Sequence, residues 1–558
     1  MHGSTKEIAC GSHAYCWERC AQGIATVAFA FLTMLYISQF PAFTARQMNA
    51  DALFPADFTW DVLHHSYAWS QYQLPRVPSI FPDLLVYGLL QIALGGYGWA
   101  MFAFAVAMFL GLSYVCGWFA ALLSKRDFFS AVFISEGILS VLFIADVATP
   151  AISGWGAKTT CLRCNFLYPT YHGGPLLAAL AAVGLICLLL ERRRESETVV
   201  LYVALYFIAT LTILSDRLTW VEFLVPASVA LGLVGTFFSS TRMQVFSLIS
   251  MLAASFFTAH FLELHINHDR FPLYYPAYFF AELSDLAPGF WKTSVIFFQE
   301  HMLSLVFILI PTAFFCAYPI DVIAQKQKNM ENLPRSMFIW LYMSLAAAIS
   351  CVTMIVLYAV ERSIASYRYD QLLFFMGVPF ITATALRSKP ISLGLRYFLP
   401  GAVALFACIH IGASTTLLPG SVTWRPKYAD CLDALRVRLG VQAGLATYWN
   451  ARLLTLASNW KVQVLAGYAI DASPRLWEND PLSYRTSFVG PYLARTPRFI
   501  LMDGFDSLGV SKYYGKPDSI TPCDSSEIWM YNDPGRFYAD LKKRLFWPDP
   551  PKRRPPRP

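Results

Sequence analysis

The stretch Asp51-Ala-Leu-Phe-Pro-Ala-Asp57-Phe-Thr-Trp-Asp61-Val-Leu-His64-His65 lies between the first two long apolar segments of the chain. It brings carboxylates, histidines and aromatic rings together within fifteen residues. Carboxylates beside a membrane cost desolvation energy unless water, a partner or a substrate meets them. Their density predicts a functional site at the mouth of a membrane bundle rather than a plain connection.

The composition around this stretch is typical of a membrane protein. Of 558 residues, 56% are hydrophobic, 16% aromatic and only 14% charged. This balance predicts a polytopic α-helical membrane protein and excludes an ordinary soluble domain. The net charge of +7 lies in short loops and in a basic, Pro-rich tail. No basic motif interleaved with aromatic residues is present, so nucleic acid is not an expected partner.

A membrane-spanning helix needs about 20 apolar residues, and about twelve segments approach that length. They are 24–40, 82–96, 98–123, 128–147, 174–190, 198–214, 222–239, 244–262, 302–320, 338–360, 371–386 and 393–412. Basic residues recur at every second connection, which predicts that those connections are cytoplasmic. With a cytoplasmic N-terminus, 82–123 then makes one net crossing, with part of it short, tilted or re-entrant. The alternative is that Lys125-Arg126 breaks the charge rule.

The predicted domain order has four parts. A cytoplasmic segment (1–23) precedes a transmembrane bundle (24–412) whose first outer loop covers 41–81. An extracytoplasmic α/β domain (413–545) and a Pro-rich basic tail (546–558) follow. The fold class is therefore a polytopic helical membrane protein of about 11–13 spans with a C-terminal α/β domain.

Within the C-terminal domain, the pattern at 430–439 predicts a helix, and 461–466, 498–502 and 527–531 predict strands. Cys431 and Cys523 could form a disulfide if this domain faces an oxidising compartment.

Residues 51–87 resemble GT-C class membrane glycosyltransferases, in particular the protein O-mannosyltransferase and aminoarabinose transferase branch. In that class the first outer loop opens with an acidic residue or pair and a short surface helix. It returns to the membrane through a Lys-Pro-Pro-Leu-x-Tyr-Trp-like motif. This chain has Asp51 at the acidic position, a predicted surface helix over 56–65, and Phe-Pro-Asp-Leu-Leu-Val-Tyr over 81–87 at the return. Asp51 is followed by Ala52 rather than by a second acid, and the lysine of the return motif is absent.

The resemblance implies an enzyme of the cell envelope, a hexosyl- or pentosyltransferase of the bacterial inner membrane with its C-terminal domain in the periplasm. A polyprenyl-phosphate-linked sugar would be the donor, and a glycan, lipid or protein the acceptor. Such a transfer needs a base for the acceptor hydroxyl and positive charge for the leaving phosphate.

Some members of the GT-C class use a divalent metal. No clear acidic pair is present here, so a required metal is not expected, although a divalent metal is left open.

Asp51 is the predicted catalytic base, and Asp57 and Asp61 are the alternatives. Asp57 and Asp61 are four residues apart and would share one face of a helix. The competing interpretation is that Asp51 and Asp57 only cap helices. His64 and His65 are predicted to bind substrate, with interfacial packing as the alternative.

Six further residues are candidate substrate-binding residues. Asp83 lies where the first outer loop returns to the membrane, and the other five lie in later outer loops: His172, Asp216, Arg217, Arg362 and Arg368. Glycines beside a histidine would let a substrate approach the backbone closely, and an outer arginine could bind the lipid phosphate. Each of these residues has an alternative interpretation. Asp83 would lie in the first turn of a helix, where the helix dipole favours an acid, and His172 would lie in a turn within an aromatic belt. The arginines would form local ion pairs.

Two other functions compete with glycosyl transfer. One is a transporter or flippase of a lipid-linked sugar, and the other is a non-catalytic subunit for assembly of an envelope polysaccharide. Acidic residues in outer loops and a large C-terminal domain favour the enzyme, whereas discontinuous helices in matching halves would favour a transporter. The sequence has no Walker A motif, dinucleotide fingerprint or nucleophile elbow, so ATP-driven transport and α/β-hydrolase chemistry are not expected.

Overall fold

The computed structural model describes residues 13–64, 74, 77–153, 163–191, 195–266, 333–361, 372, 375–387, 399–413, 418–468, 475–476 and 497–533. The chain divides into two compact units. The first contains Met1–Gln47, Ser79–Glu263 and Leu273–Thr423, and the second contains Met48–Pro78, Leu264–Pro272 and Trp424–Pro558.

The described helices are, in chain order, α1 His13–Ser38, α2 Pro41–Gln47, α3 Phe54–His64, α4 Leu85–Leu94, α5 Tyr97–Ser124, α6 Phe128–Ser153, α7 Gly173–Leu189, α8 Glu195–Ser215, α9 Val225–Phe237, α10 Arg242–Glu263, α11 Leu333–Glu361, α12 Val378–Arg387, α13 Leu399–Ala413, α14 Gly420–Thr423, α15 Ala429–Leu439, α16 Tyr448–Ala457 and α17 Ser507–Tyr514. The strands are β1 Ala443–Thr447, β2 Gln463–Tyr468, β3 Arg475–Leu476, β4 Phe499–Leu501, β5 Ser519–Cys523 and β6 Ser526–Met530. Irregular helical turns precede α4 (Ile80–Leu84), α7 (Arg163–Leu167), α9 (Trp220–Leu224) and α10 (Ser239–Thr241).

The first unit is a bundle of apolar helices. Among the described residues, six helical stretches are long and apolar enough to cross a membrane: Arg19–Ser38, Tyr97–Ser124, Phe128–Ala148, Thr198–Ser215, Trp220–Phe237 and Ser239–Glu263. Ile80–Leu94, Gly173–Leu189 and Pro400–Ile409 are apolar but shorter. The predicted polytopic helical fold is therefore confirmed. The predicted span 302–320 lies outside the described residues.

Helix α5 is central to this bundle and packs against α1, α4, α6, α7 and α12. Its glycines allow close helix approach. A Cβ at Gly117 would lie 2.5 Å from the Cα of Val132 on α6, and one at Gly111 would lie 2.5 Å from Leu177 on α7. Small residues bring membrane helices together because packing, rather than a hydrophobic drive, holds them in lipid.

The expectation that part of 82–123 is short agrees with the lengths of α4 and α5. With 10 residues, α4 extends about 15 Å, whereas the 28 residues of α5 extend about 42 Å. Gly95 ends α4 with φ +69°, a left-handed conformation that glycine adopts without steric cost. How many times this region crosses the membrane stays a prediction.

The second unit contains a six-stranded sheet in the order β3-β2-β1-β4-β6-β5. β1 is parallel to β2 and β4, and the remaining pairs are antiparallel. Helix α16 connects the parallel strands β1 and β2 and packs against both, as a crossover between parallel strands requires. The predicted C-terminal α/β domain is confirmed, and the helix and three strands predicted there correspond to α15, β2, β4 and β6.

A disulfide links Cys431 on α15 to Cys523 on β5 across 92 residues of sequence. Cys431 packs at the edge of the main core of this unit, and Cys523 lies inside that core. The pairing that the sequence left conditional is therefore present within the second unit.

Candidate functional site

Asp83 is a fully buried carboxylate in the turn that leads into α4. Its Oδ2 accepts a hydrogen bond of 2.7 Å from the backbone N–H of Thr170. Its Oδ1 has no hydrogen-bond partner among the described residues. A buried carboxylate oxygen without a donor is costly, so this oxygen is positioned for a proton or a hydrogen-bond donor that is not part of the described chain.

Two glycines make room for this carboxylate. A methyl group at Gly174 would overlap Asp83 Oδ1, and one at Gly173 would overlap the carbonyl oxygen of Phe166. The sequence predicted that these glycines let a substrate approach the backbone. The structure shows that the groups packed against them are a side chain and a carbonyl of the chain itself.

His172 and Asp216 form a second polar pair in the same unit. The Nδ1 of His172 lies 2.5 Å from the Oδ2 of Asp216, and the two side chains are 10% and 1% exposed. Asp216 Oδ1 accepts a hydrogen bond of 2.9 Å from the backbone N–H of Leu218. Pairing at Nδ1 orients the imidazole ring.

Backbone contacts bring the segment before Asp83 to the end of α8. The N–H of Ser79 donates to the carbonyl of Ser215 at 3.0 Å, and the N–H of Phe81 donates to the Ser215 hydroxyl at 2.7 Å. Asp216 follows Ser215 directly, so the His172–Asp216 pair lies beside the segment that carries Asp83. Three residues that the sequence predicted separately, Asp83, His172 and Asp216, thus form one cluster, called here the bundle carboxylate cluster.

A buried ion pair holds the loop that carries His172. Arg163 Nη1 lies 2.6 Å from Asp146 Oδ1, with both side chains almost fully buried, and the backbone N–H of Arg163 donates to Asp146 Oδ2 at 3.0 Å. The pair fixes the irregular turn Arg163–Leu167 to α6. Sequence reasoning missed it, and the only signal was a carboxylate near the end of an apolar span opposite an arginine in the next loop.

Among the described residues, Arg217 pairs with Glu263 and not with a member of the bundle carboxylate cluster. Its Nε donates to Glu263 Oε1 at 2.9 Å, and its side chain is 45% exposed. The alternative given for this residue was an ion pair with a neighbouring acid, whereas the observed partner, Glu263, lies 46 residues away in sequence.

The predicted base Asp51 lies in the second unit. Its Oδ1 accepts a hydrogen bond from the hydroxyl of Tyr448 on α16. The N–H groups of Asp51 and Ala52 donate to the side chain of Asn49 at 2.9 and 3.0 Å. Asp51 thus belongs to a turn that is held by local hydrogen bonds and joined to α16.

Asp57 and Asp61 both lie on α3, as their spacing predicted. Asp57 Oδ1 accepts a hydrogen bond of 2.9 Å from Trp460 Nε1, and its Oδ2 lies 3.6 Å from Arg452 Nε. Asp61 is 2% exposed. These contacts join α3 to α16 and to the turn after it.

His64 packs on an aromatic stack at the end of α3. Its ring stacks on Trp60 at 4.5 Å, and Trp60 stacks in turn on Trp460 at 4.8 Å with the rings 5° from parallel. His64 Nδ1 lies 2.8 Å from the Trp60 carbonyl oxygen. The packing alternative given for His64 therefore matches its observed surroundings.

Three predicted site residues lie outside the described residues: His65, Arg362 and Arg368. Among the residues that the structure does describe, no group of three or more His, Cys, Asp or Glu side chains is arranged to hold a metal ion.

No protein-family model matches the chain, and no curated protein matches it. Among solved structures, the chain is similar to ArnT. That crystal structure, of ArnT from Cupriavidus metallidurans in the apo state, is matched over 94% of this chain and 99% of the other, with 12% identity and a TM-score of 0.48. The similarity lies in the course of the backbone and assigns no residue, substrate or reaction to this chain.

Proposed function

We propose that the protein is a membrane glycosyltransferase that moves a sugar from a polyprenyl-phosphate donor to an extracytoplasmic glycan, lipid or protein. The location proposed with it is the cell inner membrane, with the C-terminal domain in the periplasm. The observation that carries the proposal is the bundle carboxylate cluster, where a buried carboxylate with one unpartnered oxygen lies beside a histidine–aspartate pair. The GT-C resemblance of residues 51–87 supports the same class of reaction.

Asp83 is the proposed general base. Its Oδ1 accepts the proton of the acceptor hydroxyl, and the acceptor oxygen then forms a bond to the anomeric carbon of the sugar. The bond between that carbon and the phosphate oxygen breaks, and its electron pair leaves with the polyprenyl phosphate. A positioned base of this kind contributes about 10²–10⁴-fold to a rate.

His172 is proposed to stabilise the leaving phosphate. The Asp216 carboxylate at Nδ1 orients the ring, and the Nε2–H of the imidazolium donates to the departing oxygen. Asp216 acts through the histidine and does not touch the substrate, so it is a positioning residue. Its second oxygen is held by the Leu218 N–H, which keeps the carboxylate in place.

The prediction that Asp51 is the base remains the alternative within the same function. The hydrogen bond from Tyr448 and the links of Asp57 to Trp460 and Arg452 support a structural role for these carboxylates, because each ties a segment to α16 or the turn after it. A bonded carboxylate can still accept a proton, so the two assignments need a direct comparison.

The test compares Asp83→Asn and Asp51→Asn with wild type in membranes with matched expression. Radiolabelled polyprenyl-phosphate sugars and a native envelope extract are supplied, and labelled product is measured. We expect transfer to fall about 100-fold or more in Asp83→Asn and less than about threefold in Asp51→Asn. The reverse result assigns the base to Asp51. Transfer that neither variant changes contradicts both assignments.

One observation favours the transporter alternative. Glu136 lies near the middle of the apolar stretch Phe128–Ala148 and is fully buried, and neither of its carboxyl oxygens has a hydrogen-bond partner among the described residues. A carboxylate at this depth marks an ion or substrate pathway by default. Wild-type membranes that transfer no sugar while lipid-linked sugar still crosses the bilayer would favour this function.

A further inference from the structure

A cavity of about 620 Å³ lies in the first unit, where α5 and α7 end and α6 and α11 begin. Its lining includes Arg126, Arg335, Glu191, Tyr114, Trp118 and Phe128. Its volume is within the range of small-molecule sites. This end of the bundle carries basic connections, which predict the cytoplasmic side, whereas the outer loops hold the residues proposed for glycosyl transfer.

Arg335 is the buried cation of this cavity, with only 6% of the residue exposed. It pairs with Glu191, and its Nη2 donates to the carbonyl of Leu122 at 3.3 Å. Its Nε has no hydrogen-bond partner among the described residues. A buried guanidinium N–H without an acceptor is costly, so this donor points to an anionic ligand that is not part of the described chain.

Arg126 supplies a second positive charge at the rim of the same cavity. It is exposed, and among the described residues it has no salt bridge. The two arginines and Glu191 give the lining a formal charge of +1. The neighbouring Asp127 uses its carboxylate to accept the backbone N–H of Ser130 and is not among the residues that line the cavity.

The remaining wall is apolar and aromatic. Trp118 projects toward α7, where a methyl group at Gly184 would overlap its ring. The absence of a side chain at Gly184 therefore allows the indole ring to approach α7 closely. Tyr114 and Phe128 extend this wall. Tryptophan and tyrosine rings, such as those of Trp118 and Tyr114, are enriched where lipid headgroups meet acyl chains.

We propose that this cavity binds the headgroup of an anionic glycerophospholipid, with the phosphate between Arg126 and Arg335 and the acyl chains passing the aromatic wall into the bilayer. Charge alone would suit inorganic phosphate equally well. The apolar wall at a bundle end favours the lipid, because basic pockets between membrane helices on the cytoplasmic side recognise anionic headgroups.

The experiment uses the full chain purified in a zwitterionic detergent. It is incubated with phosphatidylglycerol or phosphatidylcholine, and retained lipid is measured by native mass spectrometry. The variant is Arg126→Gln, which changes an exposed side chain and leaves the Arg335–Glu191 pair intact. The matched control is Lys125→Gln, which removes the same charge one residue away at a position that does not line the cavity. Inorganic phosphate is added as competitor in a separate arm.

We expect wild type to retain phosphatidylglycerol at least tenfold better than phosphatidylcholine. Arg126→Gln should retain about tenfold less phosphatidylglycerol than wild type, because a charge-assisted hydrogen bond to phosphate is removed. Retention by Lys125→Gln should fall less than about twofold. Equal losses in the two variants would mean non-specific attraction and would overturn the proposal. Equal retention of both lipids, or displacement of the lipid by millimolar inorganic phosphate, would also overturn it.

Discussion

The Nδ1 of His172 and the Oδ2 of Asp216 lie 2.5 Å apart, although 44 residues separate them in sequence. One residue precedes α7 and the other follows α8, so the two ends of this helix pair meet through one hydrogen bond. Both side chains are nearly excluded from solvent. A bond of this kind fixes the orientation of the ring, which is the basis of the first prediction.

Asp216→Asn should reduce turnover of the proposed transfer while leaving the fold intact. The amide oxygen can still accept from Leu218, but the nitrogen that replaces Oδ2 cannot accept a hydrogen bond from His172 Nδ1. Loss of such a supporting carboxylate costs about 10–100-fold. The measurement is kcat and KM for transfer, with Arg217→Gln as control. A change in KM alone would contradict a role in the chemical step.

Gly174→Ala should disable the bundle carboxylate cluster. The added methyl group would overlap Asp83 Oδ1, so the carboxylate must move from its place beside Thr170. The matched control is Gly232→Ala in α9, where a Cβ would meet nothing within 4 Å. Transfer rate and thermal unfolding are measured for both. Full activity of Gly174→Ala would show that the position of Asp83 does not matter for the reaction.

Asp146→Asn should destabilise the first unit strongly. It leaves Arg163 as a buried cation without its charged partner, and breaking a buried ion pair costs about 3–5 kcal/mol. Glu263→Gln breaks the partly exposed pair with Arg217 and should cost less than about 1 kcal/mol. The thermal midpoint of the full chain in detergent provides the comparison. Equal shifts in the two variants would mean that the burial of Arg163 is not maintained in solution.

Cys431→Ser should destabilise the second unit by about 2–5 kcal/mol, because the lost disulfide closes a long loop in the unfolded chain. Cys20→Ser, at an exposed free cysteine, should have little effect. Unfolding is followed by tryptophan fluorescence with and without reductant. Reductant should lower the stability of the second unit in wild type to that in Cys431→Ser and leave the second unit of the variant unchanged, although it also reduces the disulfide of Cys164 in the first unit. Rapid thiol labelling of Cys431 in unreduced wild type would contradict the bond.

Glu136→Gln separates the two functions proposed for the bundle. An enzyme whose chemistry lies at the bundle carboxylate cluster should keep its transfer rate, since glutamine fills the same space without the charge. A transporter that uses the buried carboxylate should lose at least tenfold in the flux of lipid-linked sugar across proteoliposomes. The control is the double variant Glu136→Gln/Gln91→Glu, which places a carboxylate at another buried polar position of the bundle and should not restore the flux.

Much of the local structure followed from sequence pattern. The helix that the GT-C resemblance implied over 56–65 is α3, Phe54–His64. The predicted strand 498–502 contains β4, Phe499–Leu501, which is a short buried apolar run. Asp83 was a candidate from its place at the return of the first outer loop. In each case the signal lay within about ten neighbouring residues.

The relations among distant polar residues did not follow in this way. Asp146 and Arg163 gave no periodic signal, and Glu136 is an isolated acid inside an apolar run. His64 was predicted to bind substrate, and in the structure its ring stacks on Trp60. Asp57 was an alternative for the catalytic base, and in the structure it accepts a hydrogen bond from Trp460. A pattern of residue types shows that a polar group is present, but it does not show which other group satisfies it.

By itself, the sequence determined that this is a helical membrane protein with a C-terminal α/β domain. Apolar runs long enough to span lipid and alternating apolar residues in short strands are local properties, and burial of apolar surface acts on them wherever they occur. Only the tertiary structure decided that Asp83, His172 and Asp216 come together and that Arg335 lines a cavity. Buried polar groups must find partners in space, and which groups meet depends on how helices far apart in the chain pack against one another.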